Sequence, residues 1–149
     1  MSLKILVAPD SFKDCITAIE FCDIAKKSIL TIQPDADIDC IPMADGGEGT
    51  IDVFRSQSSY QYRTITVVGP TGEKIKAEYC LDIKTNTAIL EMAQSSGLHL
   101  VPKKRRDPML TTSYGYGELI LDAINRGINN IILFIGGSAT NDMGVGMLE

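Results

Sequence analysis

Ile131-Ile132-Leu133-Phe134-Ile135 runs directly into Gly136-Gly137-Ser138-Ala139-Thr140-Asn141-Asp142-Met143-Gly144-Val145-Gly146. The apolar run has the composition of a strand buried on both faces. Glycines after such a strand let the chain turn tightly and bring bare backbone N–H groups near a ligand. Ser138, Thr140 and Asn141 add short hydrogen-bonding side chains, and Asp142 adds a carboxylate able to hold a metal or take a proton. Open α/β sheets bind ligands at such strand ends; the plainer alternative is a glycine-rich strand-to-helix turn.

The pattern recurs upstream. Strand-like residues 38–42 lead into Met43-Ala44-Asp45-Gly46-Gly47-Glu48-Gly49-Thr50, and Ile51, Val53 and Phe54 start a helical pattern. N–H groups at a helix start favour an anion. Asp45 and Glu48 beside them suit a magnesium–phosphate site, or else serve as turn former and dipole partner. A first strand over 4–8 ends at Pro9, followed by Asp10, Ser11 and Lys13, which offer an acid, a hydroxyl and an ammonium within one turn. Lys13 is either solvated or the point charge for a phosphate or carboxylate. Thr111, Thr112 and Ser113 precede a helix whose stripe is Tyr116, Leu119, Ile120, Ala123 and Ile124. Their hydroxyls satisfy free helix N–H groups or hold an anion.

Between these loops, Thr17-Ala18-Ile19-Glu20 is a capping-box pattern that starts a packing helix. Residues 62–68 and 74–83, joined by Gly69-Pro70-Thr71-Gly72-Glu73, read as a hairpin that buries Ile75, Ala77, Tyr79, Leu81 and Ile83. Residues 87–92 form a further strand, with Glu91 near its end facing either a cleft or a hydrogen bond at the core edge. His99, the only histidine, reads as packing, and Lys103-Lys104-Arg105-Arg106 as a solvated loop or an anion-attracting one. The dinucleotide fingerprint and the G-x-x-x-x-G-K-[ST] loop are both missing.

The chain of 149 residues carries 44% hydrophobic and 22% charged residues and a net charge of −5, which argues against a general nucleic-acid binder. No run has the length of a membrane span and no signal-peptide layout opens the chain. Four cysteines without zinc or C-x-x-C spacing read as buried thiols in a reducing cytoplasm. The final residues read as the first turn of an unfinished helix, so the chain is expected to be truncated.

Together, Ala8-Pro9-Asp10-Ser11-Phe12-Lys13, residues 42–50, Glu91-Met92-Ala93 with Gly97-Leu98, residues 111–115, Gly117-Glu118-Leu119-Ile120 and residues 136–142 resemble the N-terminal part of the bacterial glycerate kinase family, the type that forms 2-phosphoglycerate. The resemblance implies a two-lobed α/β fold. One lobe is a Rossmann-like parallel sheet with helices on both faces, here expected over 1–59; the other bears the hairpin, over 60–149. It also implies ATP and Mg²⁺, glycerate and nucleotide as small-molecule partners, no nucleic acid or membrane partner, and a cytoplasmic setting. Lys13, Asp45 and Asp142 are the candidate catalytic residues. Asp10, Ser11, Gly46, Gly47, Glu48, Thr112, Ser113, Gly136, Gly137, Ser138, Thr140 and Asn141 are the candidate substrate-binding residues. Asp14, Tyr116 and Met143 depart from the family pattern, and Met143 is expected to restrict its loop. Two other readings remain: an inactive α/β anion-binding fragment, and a self-associating partner fragment.

Overall fold

The Thr17–Glu20 capping box forms as the sequence predicts. Thr17 Oγ1 accepts the Glu20 N–H at 3.1 Å, and Glu20 Oε2 accepts the Thr17 N–H at 2.9 Å. It starts α1 (Ala18–Ile32), which connects β1 (Lys4–Val7) to β2 (Asp37–Cys40). These strands pair in parallel, Lys4 opposite Asp37 and Val7 opposite Cys40, as a helical crossover allows. The computed structural model describes residues 2–13, 15–56 and 60–149; Asp14 lies outside them. Among the described residues β1 pairs only with β2, so the expected burial of the first strand is not met and Leu6 is exposed.

The remaining elements are α2 (Thr50–Arg55), β3 (Gln61–Val68), β4 (Lys74–Asp82), β5 (Thr87–Glu91), α3 (Ala93–Ser96), α4 (Tyr114–Asn125), β6 (Asn130–Phe134) and α5 (Val145–Leu148). Their sheet has the order β3-β4-β5-β6, with two antiparallel pairings and then a parallel one. Two compact units result, Met1–Asp45 and Gly46–Glu149. This division precedes the one expected after residue 59, because α2 packs on β4 and β5 and so belongs with the hairpin. The fold class is α/β, as expected, with parallel pairing in both sheets.

Alternation along β4 and β5 sorts the core into two layers. Ala77, Tyr79, Ala88 and Leu90 meet Tyr116, Leu119 and Ala123 of α4, whereas Cys80 and Ile89 meet Ile51 of α2. Ile83 lies beyond the end of β4 and is exposed, against expectation. The larger revision concerns β6. It has a neighbour on one side only among the described residues, and Ile132 and Leu133 are 44% and 42% exposed. All four cysteines are free, and Cys15 is exposed rather than buried. Among the described residues no helix is long and apolar enough to cross a membrane.

Asp122 ties α4 to the sheet. Its carboxylate accepts Arg63 Nε at 2.6 Å and Nη2 at 3.1 Å, the Tyr79 hydroxyl at 2.6 Å and Arg126 Nε at 3.3 Å. The Arg63 hydrogen bonds, helped by Tyr79 and Arg126 against the cost of burial, hold its pKa down at about 2. A depressed carboxylate stabilises the folded chain above its unfolded pKa and loses that effect as pH falls. Asp122→Asn should therefore lower stability by about 1–2 kcal/mol at pH 7, after allowance for partial solvent screening. The gap between mutant and wild type should close as pH falls from about 4 towards 2, read from denaturant midpoints.

Candidate active site

β5 runs through the centre of the sheet with all five residues buried. Period-two alternation puts Glu91 on the face of Ile89, which packs against Ile51 of α2. Its side chain is 0% exposed and reaches the first turn of α2. Oε2 accepts the Ile51 N–H at 2.9 Å and Oε1 accepts the Gly49 N–H at 3.3 Å. Burial pushes its pKa up to about 7; Asp52 adds to the rise, while the two N–H donors and Gln94 oppose it. The anion at the start of α2 is thus the protein's own carboxylate, and these two N–H groups are not open to a ligand. Sequence reasoning left Glu91 out of the site. The available signal was a single ionisable residue in a buried strand, which is costly to bury without partners.

Glu91 supports the 46–49 loop from inside, and the 136–137 loop abuts it. The Gly136 N–H donates to Gly46 O at 2.9 Å. A Cβ on Gly136 would lie 2.7 Å from both Gly46 O and Gly47 N, so glycine is required for the two backbones to meet. Tyr116 fixes the strand ends beside them, with its buried hydroxyl 3.1 Å from the carbonyls of Leu90 and Phe134. Glu48 is exposed, and its Oε2 lies 3.7 Å from His99 Nδ1; the histidine is therefore a partly exposed surface neighbour rather than core packing.

The rest of the loop is stitched to residues 96–113. Gly137 O accepts the Leu98 N–H at 2.9 Å, Ala139 N–H donates to Ser96 O at 2.8 Å, and Asn141 N–H donates to Pro108 O at 2.9 Å. Thr140 Oγ1 donates to Thr111 O at 2.7 Å, and Thr111 Oγ1 donates to Ala139 O at 2.8 Å. Asp142 Oδ2 accepts the Ser113 N–H and hydroxyl, both at 2.7 Å, and Oδ1 accepts the Gly144 N–H at 3.0 Å. Burial works against its charge, but the Ser113 donors and the Gly144 and Gly146 backbone outweigh it and hold its pKa below the usual carboxylate range. Thr112 Oγ1 accepts the Tyr114 N–H at 3.1 Å. The hydroxyls before α4 therefore satisfy an internal carboxylate and a helix N–H.

These residues border an open cleft of about 620 Å³, lined by Ser138, Thr140, Asn141 and Asp142 with the apolar Met92, Ile135 and Met143. Met143 is 93% exposed and sits at φ +54°, a left-handed conformation that suits glycine better. Asp10, Ser11, Lys13 and Asp45 belong to the other compact unit. There Asp10 Oδ1 accepts the Ser11 N–H at 2.6 Å, and Lys13 is exposed in the turn closed by the Cys15 N–H on Phe12 O at 2.9 Å. Asp45 is exposed. Within Gly46–Glu149 the structure gathers Gly46 and Gly47 with Gly136 and Gly137, and Thr112 and Ser113 with Ser138, Thr140, Asn141 and Asp142.

The model of the glycerate kinase family matches residues 5–149. The chain belongs to the glycerate kinase family. It is 48% identical over 147 residues to a glycerate kinase of Haemophilus influenzae and 47% identical over 147 residues to the glycerate 2-kinase of Escherichia coli K12. Each alignment covers 99% of this chain and 39% of the relative. A solved structure from Salmonella typhimurium LT2, assigned as a glycerate kinase 2, superposes with a TM-score of 0.76 at 44% identity, covering 99% of this chain and 39% of that one. The chain thus spans about two-fifths of the length of these members of the family.

Glycine at 136 should be indispensable to the paired loops. Gly136→Ala is expected to cost about 1–3 kcal/mol in denaturant unfolding, as overpacking does. It should also raise hydrogen exchange at residue 136, and an unchanged exchange rate there would count against the contact.

Proposed function

We propose that the protein takes part in ATP-dependent phosphorylation of a glycerate hydroxyl, giving 2-phosphoglycerate. The observation that carries the reading is the pair of glycine loops joined at Gly46 and Gly136 beside the cleft of Ser138, Thr140, Asn141 and Asp142, in a chain of this family. Phosphoryl transfer asks little covalent help of a protein; it needs positioning and neutralised charge. In this proposal the backbone of the two loops, apart from the Gly49 and Gly136 N–H groups that are engaged internally, meets anionic oxygens, and Ser138, Thr140 and Asn141 orient hydroxyls by hydrogen bonds. Lys13, with Asp10 and Ser11 beside it, is proposed as the positive charge for a carboxylate or phosphoryl group, and Asp45 as a carboxylate able to take a proton. Asp142 has a lowered pKa and both oxygens engaged, which makes it a weak proton acceptor and favours a charge-bearing, positioning role.

Among the described residues no cluster of three or more His, Cys, Asp or Glu could hold a metal. Magnesium that enters with a nucleotide needs less, since it draws most of its ligands from phosphate and water. Asp142 with the neighbouring hydroxyls and Asn141 is an oxygen donor set of the kind it accepts. When bound, Mg²⁺ supplies charge neutralisation at the phosphoryl oxygens. A cytoplasmic setting belongs to the same proposal.

The test is ADP release by this chain with Mg-ATP, with and without D-glycerate, beside the full-length Haemophilus influenzae relative. Glycerate-dependent ADP is the expected result, and Asp142→Asn should lower it by about 10²-fold or more. An Asp142→Asn protein that keeps wild-type kcat would remove Asp142 from the machinery. A second reading rests on the exposed apolar side chains of β6. The chain then binds anions without turnover and self-associates through that edge. Ligand heats in calorimetry without ADP, together with a dimer on sizing chromatography, would select it.

A further inference from the structure

Glu91 is the one wholly buried ionisable side chain of β5, and it has no role in the phosphoryl transfer described above. Its two oxygens hold the Gly49 and Ile51 N–H groups, and the loop so fixed is the one whose Gly46 carbonyl receives the Gly136 N–H. A displacement of the Gly49–Ile51 turn therefore passes to both glycine loops. On the kinase reading, the carboxylate also carries its charge on the buried side of the loop that meets the anion. In a poorly screened interior, like charges oppose one another strongly.

We propose that Glu91 is the positioning residue of the paired glycine loops, and that its charge state sets how tightly those loops hold a phosphate-type anion. Ionised, it clamps the turn by two charge-assisted hydrogen bonds and repels the ligand. Protonated, it can no longer offer both oxygens as full acceptors, and the repulsion is gone. The inference rests on the kinase reading for the presence of an anion at these loops, but not for the clamp itself.

The surroundings of Glu91 act in both directions: burial and Asp52 oppose its charge, and the Ile51 and Gly49 N–H groups and Gln94 favour it. Asp52 on α2 is acidic and raises its pKa, Tyr116 on α4 and Cys80 on β4 are neutral neighbours coupled to it, and Gln94 beside it on α3 is uncharged. No basic side chain is among the groups that shift it among the described residues. With the carboxyl poised at about 7, both states are populated near neutrality. A protonated carboxyl keeps one full acceptor oxygen, so the turn is loosened and not released, and the lost repulsion sets the sign. A ligand that prefers the protonated form binds more tightly as pH falls through 7 and promotes proton uptake when it binds.

The experiment follows backbone amide resonances of the whole chain from pH 5.5 to 8.5, in wild type and Glu91→Gln, and measures Mg-ADP affinity over the same range. Gly49 and Ile51 should titrate with one midpoint near 7, and Gly46, Gly47, Gly136 and Gly137 should follow with the same midpoint. Glu91→Gln, with neutral side chain and one acceptor oxygen, should abolish that titration. Mg-ADP affinity of the wild type should weaken about tenfold between pH 6 and pH 8. The mutant's should be flat, apart from the ligand's own titration, which both proteins share. Loops that do not titrate with Gly49, or equal pH dependence of affinity in the two proteins, would overturn the proposal. If Mg-ADP and inorganic phosphate fail to bind at any pH, the kinase reading falls; the coupled titration of the four glycines then decides on the clamp alone. Should Glu91→Gln not fold, Glu91→Asp serves instead, since its shorter reach must shift the midpoint and the Gly49 and Ile51 resonances together.

Discussion

A carboxylate with no exposure holds two backbone N–H groups at the start of a six-residue helix. So short a helix has little stability of its own. α2 stays formed because Ile51 packs on Cys80 and Ile89 while Glu91 satisfies its opening turn. With α2 in place the 46–49 loop has a fixed root, and the Gly136 N–H finds Gly46 O. An unpaired buried carboxylate would cost several kcal/mol, so the sheet, the helix and the loop are mutually dependent.

The same device recurs at α4. Its preceding Ser113 gives both an N–H and a hydroxyl to Asp142, a residue near the far end of the chain. At α1 the acid is local, Glu20 in the capping box. Three helices thus begin against a carboxylate of the protein itself, as the positive end of the helix dipole favours. They differ in consequence. Glu20 is exposed and serves one helix, whereas Glu91 and Asp142 join segments distant in sequence and shape the glycine loops.

Much of this is legible in the sequence alone. The capping box at Thr17, the hairpin around Pro70 and Gly72, and the glycine loops after β2 and β6 are local signals, set by a few adjacent residues. What escaped depends on partners far along the chain. Ile131 to Ile135 look like a doubly buried strand, but burial depends on which strands flank β6, and here only β5 does. The hydroxyls at 111–113 look ready for a ligand until Asp142 is seen to use Ser113. Glu91 looked equally suited to a cleft or to the core edge, and only the register of β5 under α2 decides between them. Met143 sits in a left-handed conformation on the rim of the cleft.

The sheet order also dictates when the site comes into being. β3 and β4 are joined by the short turn around Pro70, so they can meet in microseconds. β5 and β6 pair in parallel, with Thr87 opposite Asn130, and that closure must wait for the whole intervening chain to be gathered in. The glycine loop follows β6 directly, so its union with Gly46 belongs to the final stage of assembly. In a refolding chain, amide protection should accordingly arise in the hairpin first and at Gly136 last. A chain stalled between those stages would have most of its core without the paired glycine loops.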